Sequence, residues 1–258
     1  MIISRKKFLK LTGISMLVVT GKKLAEPLAE AMQSTPPLSS KALTAGRWAM
    51  VIDLEKCSLE EGCTKCIDAC HLCHNVPKID DRAHEIKWIW KDEFKHAFPS
   101  LHSEYLAKKI DSLPALLLCN HCDNPPCVRV CPTKATWKRE EDGIVMMDWH
   151  RCIGCRYCMA ACPYGSRSFN WIDPREYIAE EDPDFPTRTK GVVEKCTFCD
   201  SRLAKGKLPA CVEACPQNAM FFGDLDDAGS EIRRLLESEY TIRRKPELGT
   251  NPEIFYIV

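Results

Sequence analysis

Between residues 119 and 163 the chain sets eight cysteines in two short groups, each closed by Cys-Pro, and this stretch restricts the possible folds more than any other. The first group is Cys119, Cys122, Cys127 and Cys131, followed by Pro132; the second is Cys152, Cys155, Cys158 and Cys162, followed by Pro163. Three thiols so close in sequence let one short loop wrap three corners of a single compact body, while the fourth leaves the loop. The proline behind the fourth thiol predicts that it departs at the start of a helix, because proline suits a first helical position where its missing N–H would have had no partner.

The second group has the spacing C-x2-C-x2-C-x3-C-P, the run in which three cysteines hold one [4Fe–4S] cluster and the fourth reaches its neighbour. Two further groups flank the centre. Cys57, Cys63, Cys66 and Cys70 follow the same run with three extra residues in the first gap and His71 in place of proline. Cys196, Cys199, Cys211 and Cys215 precede Pro216, and their long gap reads as a surface loop carrying Lys205, Gly206 and Lys207. Sixteen of the seventeen cysteines fall into four groups of four, and an odd total is awkward for a disulfide framework. Cys73 is left over, expected as a free thiol beside a cluster. Cys70-His71-Leu72-Cys73-His74 also spells the C-x-x-C-H haem attachment motif, a reading that competes with Cys70 as a cluster ligand. Otherwise His71 and His74 are surrounding groups. Zinc also accepts four cysteines, but three-cysteine runs and Cys-Pro closures favour iron.

The chain of 258 residues allows one domain or two. Its 36 basic and 36 acidic residues cancel, which argues against a nucleic-acid partner, since such proteins carry a basic footprint. At the N-terminus, Arg5, Lys6 and Lys7 precede an apolar stretch from Leu11 to Thr20, and Ala29-Glu30-Ala31 offers a cleavage site. The apolar run is shorter than the roughly 20 residues that cross a bilayer. Residues 1–31 are therefore expected to be a signal peptide, with an uncleaved anchor as the alternative. Ser4 to Lys10 resembles a twin-arginine signal in which Lys6 replaces the second arginine. A protein carrying assembled clusters needs an export route that accepts folded cargo, which places it on the exported (periplasmic or archaeal extracytoplasmic) face of the membrane. Residues 32–47 read as a linker.

Strands are expected at Trp48–Asp53, at 85–91, at 218–223 and at 254–258, with a hairpin from Ala135–Arg139 and Ile144–Asp148 about Asp142-Gly143. Leu101, Tyr105, Ile110 and Leu113 suggest an amphipathic helix after Pro99, covering the core or docking a partner. Ser230 is placed to cap a helix running to about Tyr240. Arg156, Tyr157 and Trp171 are read as packing groups able to shield or tune a cluster. His84, His96, His102 and His150 are scattered, without an identifiable carboxylate or nucleophile, so no catalytic residue is expected. With every cluster fully ligated by cysteine there is no vacant iron for an enzyme of its own.

Together with the segments HCDNPPC, DGIVMMDWHRCIGCRYCMAACPYGSRSFNW and VEKCTFCDSRL, the four groups resemble the four-cluster electron-transfer subunits of membrane-bound oxidoreductases, the β subunits of the dimethyl sulfoxide, polysulfide and formate enzymes. Within that family they are most similar to the iron–sulfur subunit type of the sulfite-reduction-associated menaquinol oxidoreductases. The resemblance implies an α+β fold of two pseudo-symmetric bacterial ferredoxin-like lobes. The outer lobe would comprise 48–91 and 192–225, an inserted helical segment 92–118, the inner lobe 119–165, a connecting loop 166–191 and a C-terminal extension 226–258. It implies four [4Fe–4S] clusters, held by Cys57, Cys63, Cys66 and Cys215; by Cys70, Cys196, Cys199 and Cys211; by Cys119, Cys122, Cys127 and Cys162; and by Cys131, Cys152, Cys155 and Cys158. It also implies a quinol-interacting integral membrane subunit, a multihaem cytochrome c subunit and further membrane-complex subunits as partners, or alternatively service as the relay of a molybdopterin reductase.

Overall fold

The structure is a computed structural model, described here for residues 41–258. The expected signal peptide and residues 32–40 of the expected linker lie outside the described residues.

The organising strand is Trp48–Asp53, buried at all six positions. It lies between two neighbours, antiparallel to Met220–Asp224 and parallel to Ile254–Ile257, which in turn pairs with Thr241–Ile242. A strand covered on both faces reads as an unbroken apolar run rather than an alternation, as WAMVID does. Met50 and Ile52 face the main core, whereas Ala49 and Val51 pack on Leu225 and Ile232, the two-residue alternation of a strand. At its end Asp53 caps the helix Leu54–Ser58 by accepting from the Lys56 N–H at 2.9 Å, so the strand delivers Cys57 directly.

Three two-stranded sheets complete the α+β architecture: Ile89–Glu93 with Pro114–Leu118, Thr136–Lys138 with Val145–Met147, and Ser168–Phe169 with Val193–Glu194. The second is the hairpin expected around Gly143, whose φ of 75° needs the freedom of glycine. The terminal segment is no appendage, because Ile254–Ile257 occupies an inner position of the four-stranded sheet. Ser230 caps the helix Glu231–Ser238 through its Oγ, which accepts from the Arg233 N–H.

Several elements depart from the expectations. The strand expected at 85–91 begins at Ile89, because Lys87 N–H leaves the ladder and donates to Ser168 Oγ at 2.8 Å. The amphipathic helix after Pro99 does not form. Only Lys108–Asp111 is helical there, and Leu101 and Tyr105 are exposed. Leu113 is nonetheless buried in the core with Ile110 packed against it, and the upstream contact is made by Phe94 and Ala97 of the helix Phe94–Ala97 and by Phe98 just after it, before Pro99. The segment 166–191 is not all loop. It contains the strand Ser168–Phe169 and a 3-10 turn at Pro174–Tyr177.

Candidate functional site

All seventeen cysteines are free thiols, and sixteen gather into four sets. Cys57, Cys63 and Cys66 share one cavity with Cys215. Cys119, Cys122 and Cys127 share a second with Cys162. Cys152, Cys155 and Cys158 share a third with Cys131. Cys70, Cys196, Cys199 and Cys211 lie near one another: Cys70 is raised by Cys211 and Cys196, Cys211 by Cys196, and Cys199 by all three. In every case three thiols come from one sequence group and the fourth from another.

The backbone explains how. In the ligand loops Arg156, Phe198, Cys199 and His121 adopt left-handed conformations, with φ of 63°, 54°, 55° and 41°, which turn successive thiols inward. Gly154 has φ +68°, and a Cβ there would lie 2.4 Å from the Gly191 carbonyl oxygen, so nothing larger fits between Cys152 and Cys155. The role expected of the Cys-Pro closures is overturned. Cys162 ends the helix Tyr157–Ala161 instead of starting one, and Cys131 and Cys215 follow the ends of Pro126–Arg129 and Ala210–Glu213. Proline disfavours helical backbone in the residue before it, and Cys162 is accordingly extended. The helix stops, and the fourth thiol swings out of its own group. Where His71 replaces proline, the helix Lys65–Cys73 runs straight through Cys70. That extra turn carries Cys73 close to Cys199, whose nearness lowers the Cys73 thiol and raises that of Cys199.

Burial, with neighbouring thiolates adding to it, pushes the thiols of Cys66, Cys122 and Cys196 up to about 12. Such a donor set resists ionising alone and accepts ionisation when a strong cation binds, since coordination deprotonates a thiol outright. Among the described residues no three His, Cys, Asp or Glu side chains converge as tightly as one metal ion requires. Four thiols about one enclosed cavity, as at each of three sites, are the donor set that a [4Fe–4S] cluster takes. The sets also follow one another in a row. Cys70 and Cys211 sense Cys66 of the first set, Cys196 senses Cys119 of the third, and Cys158 senses Cys127 of the third.

The haem reading finds no room. His74 is buried between Trp88 and Phe185, with ring centroids 4.7 and 4.8 Å away, and its Nδ1 lies 2.8 Å from the Cys70 carbonyl oxygen. Arg156 lines the cavity of Cys131, Cys152, Cys155 and Cys158 and stacks over Trp171 at 4.6 Å, while Tyr157 is exposed. The expectation that the histidines lack carboxylate partners is corrected. His84, His96 and His102 lie 2.9, 3.0 and 3.2 Å from Asp81, Asp92 and Asp111. These are surface pairs between residues close in sequence or on neighbouring short turns.

Buried cations escaped the sequence reading, among them Arg188, Arg167 and Lys195. Arg188 forms an ion pair with Glu194 at 2.8 Å with neither side chain exposed, and it faces Trp88, Trp149 and Phe185. Arg167 donates to Cys127 Sγ at 3.1 Å and to Thr136 Oγ1 at 2.8 Å. Lys195 donates to the carbonyls of Val145 and Cys196. The signal was present in Val193-Glu194-Lys195-Cys196, where two charges sit inside a run bounded by residues that a strand would bury.

A profile of the 4Fe-4S dicluster domain matches residues 112–175 and 184–225. The chain is 42% identical to the Hdr-like menaquinol oxidoreductase iron-sulfur subunit 1 of Archaeoglobus fulgidus, over 98% of this chain and 97% of that protein. It is 38% identical to the menaquinone reductase iron-sulfur cluster-binding subunit of Nitratidesulfovibrio vulgaris, over 82% of this chain and 88% of that one. The arsenate respiratory reductase iron-sulfur subunit of a Shewanella species is 39% identical, over 82% of this chain and 96% of its own length. Among the described residues no helix is long and apolar enough to cross a membrane.

Proposed function

The chain belongs to the family of 4Fe-4S iron–sulfur electron-transfer subunits that serve respiratory oxidoreductases, and from that premise we propose that it is a four-cluster wire in a menaquinol-linked membrane complex of sulfur or sulfite metabolism. The observation that carries the proposal is the sorting of sixteen thiols into four sets of four in a row, each completed by a cysteine from a different group. The clusters would take Cys57, Cys63, Cys66 and Cys215; Cys70, Cys196, Cys199 and Cys211; Cys119, Cys122, Cys127 and Cys162; and Cys131, Cys152, Cys155 and Cys158. When bound, [4Fe–4S] clusters supply one-electron carriers whose potentials follow charge, hydrogen bonds to sulfur and exposure. The chain's own contribution is to hold them in line, exclude water and set the surrounding charge. Interleaving of the ligand groups would make two pseudo-symmetric ferredoxin-like lobes, the outer from 48–91 and 192–225 and the inner from 119–165.

In this reading the chain lies peripherally on the exported face of the membrane after removal of residues 1–31. It passes electrons between a quinol-interacting membrane subunit and a multihaem cytochrome c, with no catalytic site of its own. The relative from Archaeoglobus fulgidus supports the menaquinol assignment. The similarity to the arsenate respiratory reductase subunit favours a second reading, the electron relay of a molybdopterin reductase. Iron and acid-labile sulfide analysis of the full chain, with low-temperature EPR after dithionite reduction, tests the wire. Four [4Fe–4S] signals are expected, and fewer than three, or cysteines recovered as disulfides from fully loaded protein, would refute it. Purification of the intact complex separates the two readings, since haem c or a molybdopterin subunit will accompany the chain.

A further inference from the structure

Two of the buried cations that lack a carboxylate partner, Lys195 and Arg167, sit at successive junctions of the row. Lys195 is wholly buried. Its Nζ donates to the Val145 carbonyl and, at 2.7 Å, to the Cys196 carbonyl, and among the described residues no carboxylate stands within ion-pair distance. The charges that face it are the thiols of Cys119, Cys196 and Cys127, with Arg167 opposing. It therefore lies between the second and third sets. Arg167 is also buried and donates to Cys127 Sγ, to Thr136 Oγ1 and more distantly to Met147 Sδ. It faces Cys127, Cys158 and Cys119, the junction of the third and fourth sets. Only the third set, Cys119, Cys122, Cys127 and Cys162, is flanked by both.

An unpaired buried cation is costly unless negative charge stands opposite. Among the described residues no carboxylate pairs with either cation, and the negative groups they face are the thiols and what they hold. Adding an electron beside a fixed cation in a low-dielectric interior is favoured, and a hydrogen bond to a ligand sulfur acts in the same direction. No other set has two buried cations beside it: the fourth has Arg167 and Arg156, and Arg156 is exposed. Arg188 is neutralised by Glu194, and the first set has only Lys91, which is partly exposed.

We propose that Lys195 and Arg167 together make the cluster on Cys119, Cys122, Cys127 and Cys162 the highest in reduction potential, so that the third position of the row is where an electron rests. The inference depends on the four-cluster reading above and deepens it by ranking the sites. Lys195 and Arg167 are positioning residues, acting on the potential without touching a substrate.

The test is an EPR-monitored redox titration of the full, cluster-loaded chain. Lys195→Gln lowers two centres and Arg167→Gln lowers two. One centre is common to both pairs, it is the highest in the wild type, and one centre responds to neither variant. The expected drop at the common centre is about tenfold in the reduction equilibrium for each variant, about 59 mV for one electron. Arg167→Lys keeps the charge and retains most of the potential. If no centre responds to both variants, or the common one is not the highest, the inference fails. Should the glutamine variants not load, Cys122→Ser must displace the highest-potential signal while Cys63→Ser leaves it in place; the reverse overturns the proposal. A wild-type chain short of iron when fully loaded removes the four-cluster reading and this inference with it. A full load with another order removes this inference alone.

Discussion

Two arginines in this molecule are equally hidden from water and keep opposite company. Arg188 meets the Glu194 carboxylate, which is also held by the Trp88 indole N–H at 2.9 Å and the Asn170 amide at 2.6 Å, while its own guanidinium donates to the carbonyls of His74 and Asn75. Arg167 meets a cysteine sulfur, a threonine hydroxyl and a methionine sulfur. The first cation is cancelled where it stands, and it fastens the strand Val193–Glu194 to the chain just beyond the helix Lys65–Cys73. The second keeps its charge free to act on the thiols beside it. Glu194 and Lys195 are neighbours in sequence, and strand alternation sends them to opposite sides. One serves the neutral cluster of aromatics and the other the row of thiols. Burial therefore does not decide what a charge is for; its partner does.

The most severe way to break this contrast is Glu194→Ala. It leaves Arg188 buried without a counter-charge, and breaking such a pair costs about 3–5 kcal/mol. Denaturant unfolding of the loaded chain should show that loss, with the EPR-derived potentials little changed. A large shift in potential with unchanged stability would erase the distinction between the two sites. Glu253 offers an intermediate case, nearly buried with Arg47 3.7 Å away. Burial lifts its carboxyl to about 7, against the pull of Arg47 and Arg243 and with Asp123 adding to the rise. Its native form thus holds a proton that the unfolded chain releases near 4.5. Its stabilising contribution is complete below that pH and is lost as pH rises to about 7, by about 3 kcal/mol at most. Unfolding midpoints at pH 5.5 and 8 should converge in Glu253→Gln relative to the wild type. If they do not, partial pairing is as good as the full pairing of Arg188. The smallest effect is expected for Ser230→Ala, which removes a helix cap far from any buried charge. A loss of about 1 kcal/mol, with all cluster signals intact in EPR, sets the scale against which the others are read.

The four cysteine groups were legible in the sequence, because spacing within a run is local and each short gap limits where the sulfur can go; which group completes which set came only from the resemblance. The strand Trp48–Asp53 and the hairpin at Gly143 were legible for the same reason. Long-range features were not. Pro163 reads equally as the start or the stop of a helix until the direction of Cys162 is known. Leu101 and Tyr105 keep helical spacing, yet Phe94 and Phe98 already fill the core they would have covered. His96 and Asp92 are four residues apart, but their pairing depends on the strand ending at Glu93 and turning into helix at once. Lys195, one residue before a cysteine, resembles a surface lysine in the string. Only the packing of Val145 and Cys196 around its ammonium group reveals otherwise.

The crossing of thiols between groups also imposes a calendar on biosynthesis. The cavities shared by Cys119 to Cys162 have all their donors once the middle of the chain has left the ribosome, whereas Cys57, Cys63, Cys66 and Cys70 must wait for Cys196 to Cys215. For most of translation the earliest-made thiols stand without their companions, so in the four-cluster reading the inner cavities have their donors first.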